Sequence, residues 1–178
     1  SPSERLMEQF DQMSSQLKHV KPKEIQDIKQ RLKEEKGQGG AYYCSLPSFR
    51  DSYRLVTRML ERSGQSAYLM LCSLTDGKGH PLEKPEKLEL LSEELQNTIQ
   101  HCLRKGDSFT KYSPSQYLVL LIGTNKENCG LIFDRIRKYF AREHRSWNKY
   151  VEFYVSSVAE VDNLDTPIQF RNDDSGWK

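Results

Sequence analysis

Apolar residues near the start of the chain return at Leu6, Phe10, Met13, Leu17 and Val20, at spacings of 4, 3, 4 and 3. That is the a/d seam of a coiled coil, and it predicts a helix that dimerises with a second copy. Packing of the same stripe on the chain's own domain is the alternative. Pro22 interrupts the period and suits the first turn of a second helix, whose stripe is Ile25, Ile28 and Leu32. Gly37-Gln38-Gly39-Gly40 then breaks the pattern. Residues 1–36 therefore read as a helical linker or short coiled coil.

The pattern changes after that break. Ser48-Phe49-Arg50-Asp51 looks like a capping box opening a helix lined by Phe49, Tyr53, Val56 and Leu60, with Gly64 as its stop. Residues 68–74 are nearly all apolar and predict a strand buried on both faces. Pro85 begins a long helix with Leu88, Leu91, Leu95, Ile99 and Cys102 inward and Gly106 at its end. Residues 109–112 and 117–122 read as strands joined through a hairpin at Ser113-Pro114-Ser115-Gln116. A helix over 126–142 turns Ile132, Phe133, Ile136 and Phe140 inward, and 151–155 alternates as a strand with one wet face. From Asn163 the chain is polar, and residues 163–178 are expected to be a flexible tail. This order predicts an α+β fold, one antiparallel or mixed sheet with flanking helices, preceded by a helical segment.

Composition narrows the class. Of 178 residues, 36% are apolar and 29% charged, which is polar for a globular chain, yet nine Tyr and seven Phe can fill a core. The net charge of +2 is too small to argue for nucleic-acid binding by bulk electrostatics. Cys44, Cys72, Cys102 and Cys129 stand apart, mostly in apolar stretches, and read as reduced core residues of a cytoplasmic protein. His19, His80, His101 and His144 lack metal-ligand spacing. No apolar run reaches membrane-spanning length, so no membrane partner is expected. The Ser1-Pro2 start reads as a cut within a longer protein.

Leu103-Arg104-Lys105-Gly106-Asp107, then Tyr112-Ser113-Pro114-Ser115-Gln116-Tyr117, an apolar strand and a helix with Arg135-Ile136-Arg137 together resemble the GGDEF domain of diguanylate cyclases. The resemblance covers about residues 41–158 and implies that family's palm-like sheet. A further helix and strand usual in the family are not recognisable here, so the domain is expected to be shortened. The family's spacing is kept but its signature residues are replaced. Phosphodiester formation from GTP needs metal ions held by carboxylates at fixed positions. The family's two positions fall at Cys72 or Ser73 and at Ser115, with Gln116 as the fourth signature residue. Ser113 and Pro114 replace a glycine pair, and Pro114 also removes an N–H donor. The resemblance therefore implies a module without catalytic residues, metal or cofactor; an active cyclase is the remaining alternative.

Many cyclases of this family also carry an inhibitory cyclic di-GMP site, Arg-x-x-Asp with its Asp six residues before the signature. Arg104 and Asp107 match it, and an ungapped count places its second arginine at Arg135. Two guanidinium groups would grip phosphate or a guanine edge, and the carboxylate would accept from guanine N–H groups. In the plainer alternative, Arg104 favours a helix end, Asp107 caps a turn and Arg135 belongs to a solvated basic face. A narrower likeness rests on Gly40-Ala41-Tyr42-Tyr43-Cys44, Phe49-Arg50-Asp51-Ser52-Tyr53-Arg54-Leu55 and Arg62-Ser63-Gly64-Gln65-Ser66 together with the Tyr112–Tyr117 hexapeptide. These strings are similar to the C-terminal region of SARP-like transcriptional activators with a bacterial transcriptional activator domain. That likeness implies a regulatory or dimerisation module whose DNA contacts belong to an absent N-terminal winged helix.

Overall fold

Alternation of side chains along four adjacent strands builds a sheet with two unequal faces. The computed structural model describes residues 1–18, 21–33, 39–159 and 168–170, in two units, residues 1–38 and 39–178. The first unit holds helices α1 (Pro2–Lys18) and α2 (Pro22–Leu32), with Pro22 in the first turn of α2. Leu6, Phe10 and Met13 are 71%, 69% and 62% exposed, so the seam lies open on the described chain. The side chain of Leu17, and Val20, fall outside the described residues.

The second unit runs β1 (Tyr42–Tyr43), α3 (Leu46–Ser63), β2 (Ala67–Leu74), α4 (Pro85–Cys102), β3 (Ser108–Ser113), β4 (Gln116–Ile122) and α5 (Lys126–Phe140). A 3-10 turn at Arg145–Tyr150, β5 (Val151–Ser157) and β6 (Ile168–Phe170) follow. The strands lie in the order β1-β3-β4-β2-β5-β6. All neighbours are antiparallel except β1 beside β3. The fold is α+β, with a mixed sheet between helices. No helix among the described residues is long and apolar enough to cross a membrane.

On one face Met70, Cys72 and Leu74 of β2 join Tyr117, Val119 and Leu121 of β4 and Phe153 of β5 beneath α4 and α5. Leu91, Leu95 and Ile99 of α4 and Phe133, Ile136 and Phe140 of α5 close this core, and the Phe133 and Phe153 rings stack at 4.6 Å. The opposite face presents Ala67, Leu69, Leu118, Leu120 and Ile122 to Phe49, Val56 and Leu60 of α3. Within residues 39–159, α3 is the helix packed on this side, and Leu69 and Leu71 are half-buried. The β2 strand is thus sealed on one face and partly open on the other, rather than buried on both.

Several boundaries differ from the sequence expectation. The cap of α3 is Ser45, whose side chain accepts from the Ser48 N–H, because Pro47 is accommodated in the first turn. Ser48 is already helical. Gly64 does close α3, in a left-handed conformation. Helix α4 ends at Cys102, not Gly106: Leu103 turns extended, and Arg104 to Asp107 form a separate turn closed by the Asp107 N–H on the Arg104 carbonyl at 3.0 Å. Helix α5 stops at Phe140, two residues before the predicted end. Within the tail expected to be flexible, Ile168–Phe170 pairs with β5, because Val155, Tyr154 and Phe153 offer it an open strand edge. Residues 163–167 and 171–178 lie outside the described residues.

Candidate functional site

The hairpin between β3 and β4 sits directly against the end of β2. Ser73 pairs with Gln116 in the ladder, and the Leu74 N–H donates to the Ser115 carbonyl at 2.8 Å. Pro114 and Ser115 make the turn, and the β3–β4 register shifts between Lys111 and Ser113. The polar side chains here bond to one another. Ser113 Oγ donates to Gln116 Oε1 at 3.0 Å, the Ser115 N–H donates to Ser113 Oγ at 3.4 Å, and Gln116 Nε2 reaches Ser73 Oγ at 3.5 Å. Tyr117 points into the core, where its hydroxyl donates to the Ser92 carbonyl at 3.0 Å and lies 3.1 Å from Ser92 Oγ. Burial raises this phenol above its usual range.

The two positions at which the resemblance puts metal carboxylates thus hold a thiol or a hydroxyl, at Cys72 or Ser73, and a hydroxyl at Ser115, and the fourth signature residue, Gln116, carries an amide. Cys72 is sealed in the core, and burial pushes its thiol far above the ordinary range. Asp76 is turned into its own loop. Its Oδ1 accepts from the N–H groups of Lys78 (2.7 Å) and His80 (3.1 Å), and its Oδ2 lies 3.3 Å from His80 Nδ1. The Lys78 N–H, with His80 adding, holds this carboxyl below its usual range. Among the described residues no three His, Cys, Asp or Glu side chains are grouped to hold a metal ion. An open cleft of about 470 Å³ flanks the hairpin, with Lys111, Pro114, Tyr117, Ser92, Glu93 and Gln96 in its walls.

A second site forms where the end of α4, the turn after it, the end of β4 and α5 meet. Arg104, Asp107 and Arg135 all line one cleft of about 160 Å³, together with Thr124 and Asn128. Arg104 Nη2 donates to the Ile122 carbonyl and to Thr124 Oγ1, both at 3.0 Å, and its Nε lies 3.6 Å from Asp107 Oδ2. Arg135 Nη1 donates to the Cys102 carbonyl at 3.3 Å. Each guanidinium keeps further N–H groups for an anion. Asp107 is engaged by the backbone around it. The side chain is 1% exposed: Oδ1 accepts from the Ile122 N–H (3.3 Å) and Oδ2 from the Arg104 N–H (3.2 Å). Burial pushes its carboxyl up, against the pull of those N–H groups and of the Arg104 guanidinium. Asp107 anchors the turn and orients Arg104.

Thr124 and Asn128 were not singled out from the sequence. Asn125 caps α5 by accepting from the Asn128 N–H at 2.8 Å. That cap holds Asn128 at the cleft mouth, so an Asn three residues before another polar residue at a helix start was the available signal. The seam residues Leu6, Phe10 and Met13 belong to the other unit.

No family model matches the chain, and no curated protein matches it. Solved structures do. Diguanylate cyclase SiaD from Pseudomonas aeruginosa, in complex with its activator SiaC, matches with a TM-score of 0.56 at 16% identity, covering 89% of this chain and 65% of that one. A DGC protein from Thermotoga maritima matches with a TM-score of 0.49 at 16% identity over 66% of this chain and 79% of that one. The active GGEEF domain of a diguanylate cyclase from Vibrio cholerae gives 0.46 at 17% over 70% and 80%. At these identities the likeness speaks for backbone architecture, and the SiaD match carries it. The chain has a GGDEF-like α+β fold.

Proposed function

We propose that residues 39–178 are a catalytically inactive GGDEF-like module serving a bacterial transcriptional regulator as a regulatory or dimerisation part. The observation that carries this reading is the closed bonding of Ser73, Ser113, Ser115 and Gln116. Neutral groups there satisfy one another, so the hairpin tip supplies shape without the negative charge that a metal–triphosphate complex requires. Asp76 is committed to its own loop. The SiaD structure, with its activator bound, is a precedent for this fold working through a protein partner. Incubation with GTP and magnesium is expected to yield no cyclic di-GMP. Product formation that disappears in Asp76→Ala sinks the proposal.

A second reading is favoured by the meeting of Arg104 and Arg135 at one cleft. Two part-exposed guanidinium groups suit the phosphates of a guanine dinucleotide such as cyclic di-GMP. Asp107 then serves as a positioning residue for Arg104. Calorimetry tests it: binding at tens of micromolar, weakened about tenfold or more in Arg104→Ala and in Arg135→Ala, is the expected result. Absence of heat with the wild type, or unchanged affinity in both variants, rejects the sensor.

A further inference from the structure

The two outer faces of residues 39–178 carry opposite charge rows. Arg50, Arg54, Arg58 and Arg62 recur every four residues on α3 and are all exposed. At about 1.5 Å per residue they span ~18 Å of helix surface. Asp51 and Glu61 share this face, leaving it net basic, and Leu55 and Met59 lie beside the arginines at 60% and 57% exposure. On α4, Glu86, Glu89 and Glu93 are exposed at helical spacing, with Leu90 between them at 56% exposure. Among the described residues none of these four arginines and three glutamates has an ion-pair partner.

The sheet fixes how the rows face. Phe49, Val56 and Leu60 of α3 pack on the Leu118 and Leu120 side, and Leu91, Leu95 and Ile99 of α4 pack on the Val119 and Leu121 side. The basic row and the acidic row therefore look outward in opposite directions and cannot meet within one copy. We infer that α3 of one copy docks on α4 of another, a head-to-tail contact that leaves a free basic row at one end and a free acidic row at the other.

Charge complementarity selects this occupant. The row is all arginine, the cation favoured at protein interfaces and in bidentate carboxylate pairs. Leu55, Met59 and Leu90 give the contact an apolar part that a phosphate backbone would leave uncovered. Lys84 lies at the start of α4, and Lys111 of β3 shares a cleft with Glu89 and Glu93, so the acidic stripe has cations at its start and along one side. Single exposed pairs contribute little, and the contact is expected to be weak and sensitive to salt. Because the two surfaces differ, the association is heterologous and grows into chains or a ring, unlike a two-fold dimer through α1.

Light scattering on the full chain at increasing concentration tests the inference. In about 50 mM salt the mass is expected to rise with concentration, and in about 500 mM salt to fall back. An α1 dimer alone gives a mass fixed at two copies. Arg54→Glu with Arg58→Glu should abolish the growth, as should Glu86→Lys with Glu89→Lys. Mixing the two variants should restore association, which also shows that both are folded. A mass independent of concentration in the wild type, growth that survives either pair of changes, or a mixture that stays at the mass of its parts overturns the inference. So does a flat mass accompanied by Arg54-dependent binding of a labelled DNA duplex, which would hand the row to nucleic acid.

Discussion

Replacing Asp107 by alanine separates an anchoring carboxylate from a ligand-facing one. The side chain accepts from the N–H groups of Arg104 and Ile122 at 3.2 and 3.3 Å and pairs with Arg104 Nε at 3.6 Å. Both N–H groups are part-buried, so stranding each costs about 1 kcal/mol, the low end of the usual range. The pair with Arg104, whose side chain is 59% exposed, adds about 0–1 kcal/mol. Some of this is offset, because burial of the charged form is itself unfavourable, as the raised carboxyl pKa shows. The net expectation is a loss of about 2 kcal/mol. At roughly 3 °C per kcal/mol that is a fall of ~6 °C in Tm. Urea denaturation followed by far-UV circular dichroism measures it. An unfolding free energy unchanged within about 0.5 kcal/mol refutes the anchoring role and returns Asp107 to the cleft as an available acceptor.

The same residue carries a pH signature. Burial raises the folded pKa of Asp107 above its unfolded value, so the native state binds this proton more tightly. Its contribution to stability is complete below the unfolded pKa and is lost as pH rises through the folded one. In Asp107→Asn the amide still offers one oxygen to Ile122 but sets an N–H against the donors of Arg104. The margin of the wild type over Asp107→Asn is therefore expected to narrow as pH climbs out of the acid range. A margin that widens instead would mean that ionised Asp107 is favoured in the fold and that the Arg104 pair outweighs desolvation.

Other positions give independent checks. Gly40 has φ +74°, and a Cβ there would run into the Gln100 carbonyl, so Gly40→Ala should cost more than about 2 kcal/mol in urea. A Cβ at Gly39 meets nothing within 4 Å, so Gly39→Ala should be close to neutral and serve as its control. Tyr117→Phe removes a buried hydroxyl bonded to Ser92 and should cost about 1–2 kcal/mol without changing the secondary-structure spectrum. If the open stripe of Leu6, Phe10 and Met13 pairs with a second copy, Phe10→Asp should halve the mass found by light scattering in high salt. A monomeric mass for both proteins removes the coiled-coil reading.

How much could be read in advance follows from where each decision is made. The inward stripes of α3, α4 and α5 and the alternation of β5 were legible because one helix or strand face meets one core. The two-residue β1 was not: the Tyr42 and Cys44 N–H groups bond to the carbonyls of Asp107 and Phe109, partners about 65 residues away, and no local period announces that. Strand β6 likewise exists through the open edge of β5, inside a stretch whose composition is that of a tail. Helix ends moved for local reasons, since a cap is decided by one side chain and one N–H, as at Ser45 and Ser48.

The candidate site divides along the same line. The family resemblance, carried over by an ungapped count, named Arg104, Asp107 and Arg135, and all three line one cleft. Spacing could not say which way Asp107 faces. That is settled by a four-residue turn in which Leu103 leaves the helix early, so the carboxylate drops beneath the Arg104 and Ile122 N–H groups while the guanidinium stays above. Had α4 continued through Arg104 to Gly106, the Arg104 N–H would have bonded within the helix and left that carboxylate oxygen free for a ligand. A sequence pattern that names ligand residues therefore tests poorly for ligand binding wherever its acid can satisfy the backbone instead, and in the sensor reading Arg104→Ala and Arg135→Ala, which leave the Asp107 anchor in place, are the cleaner tests of recognition.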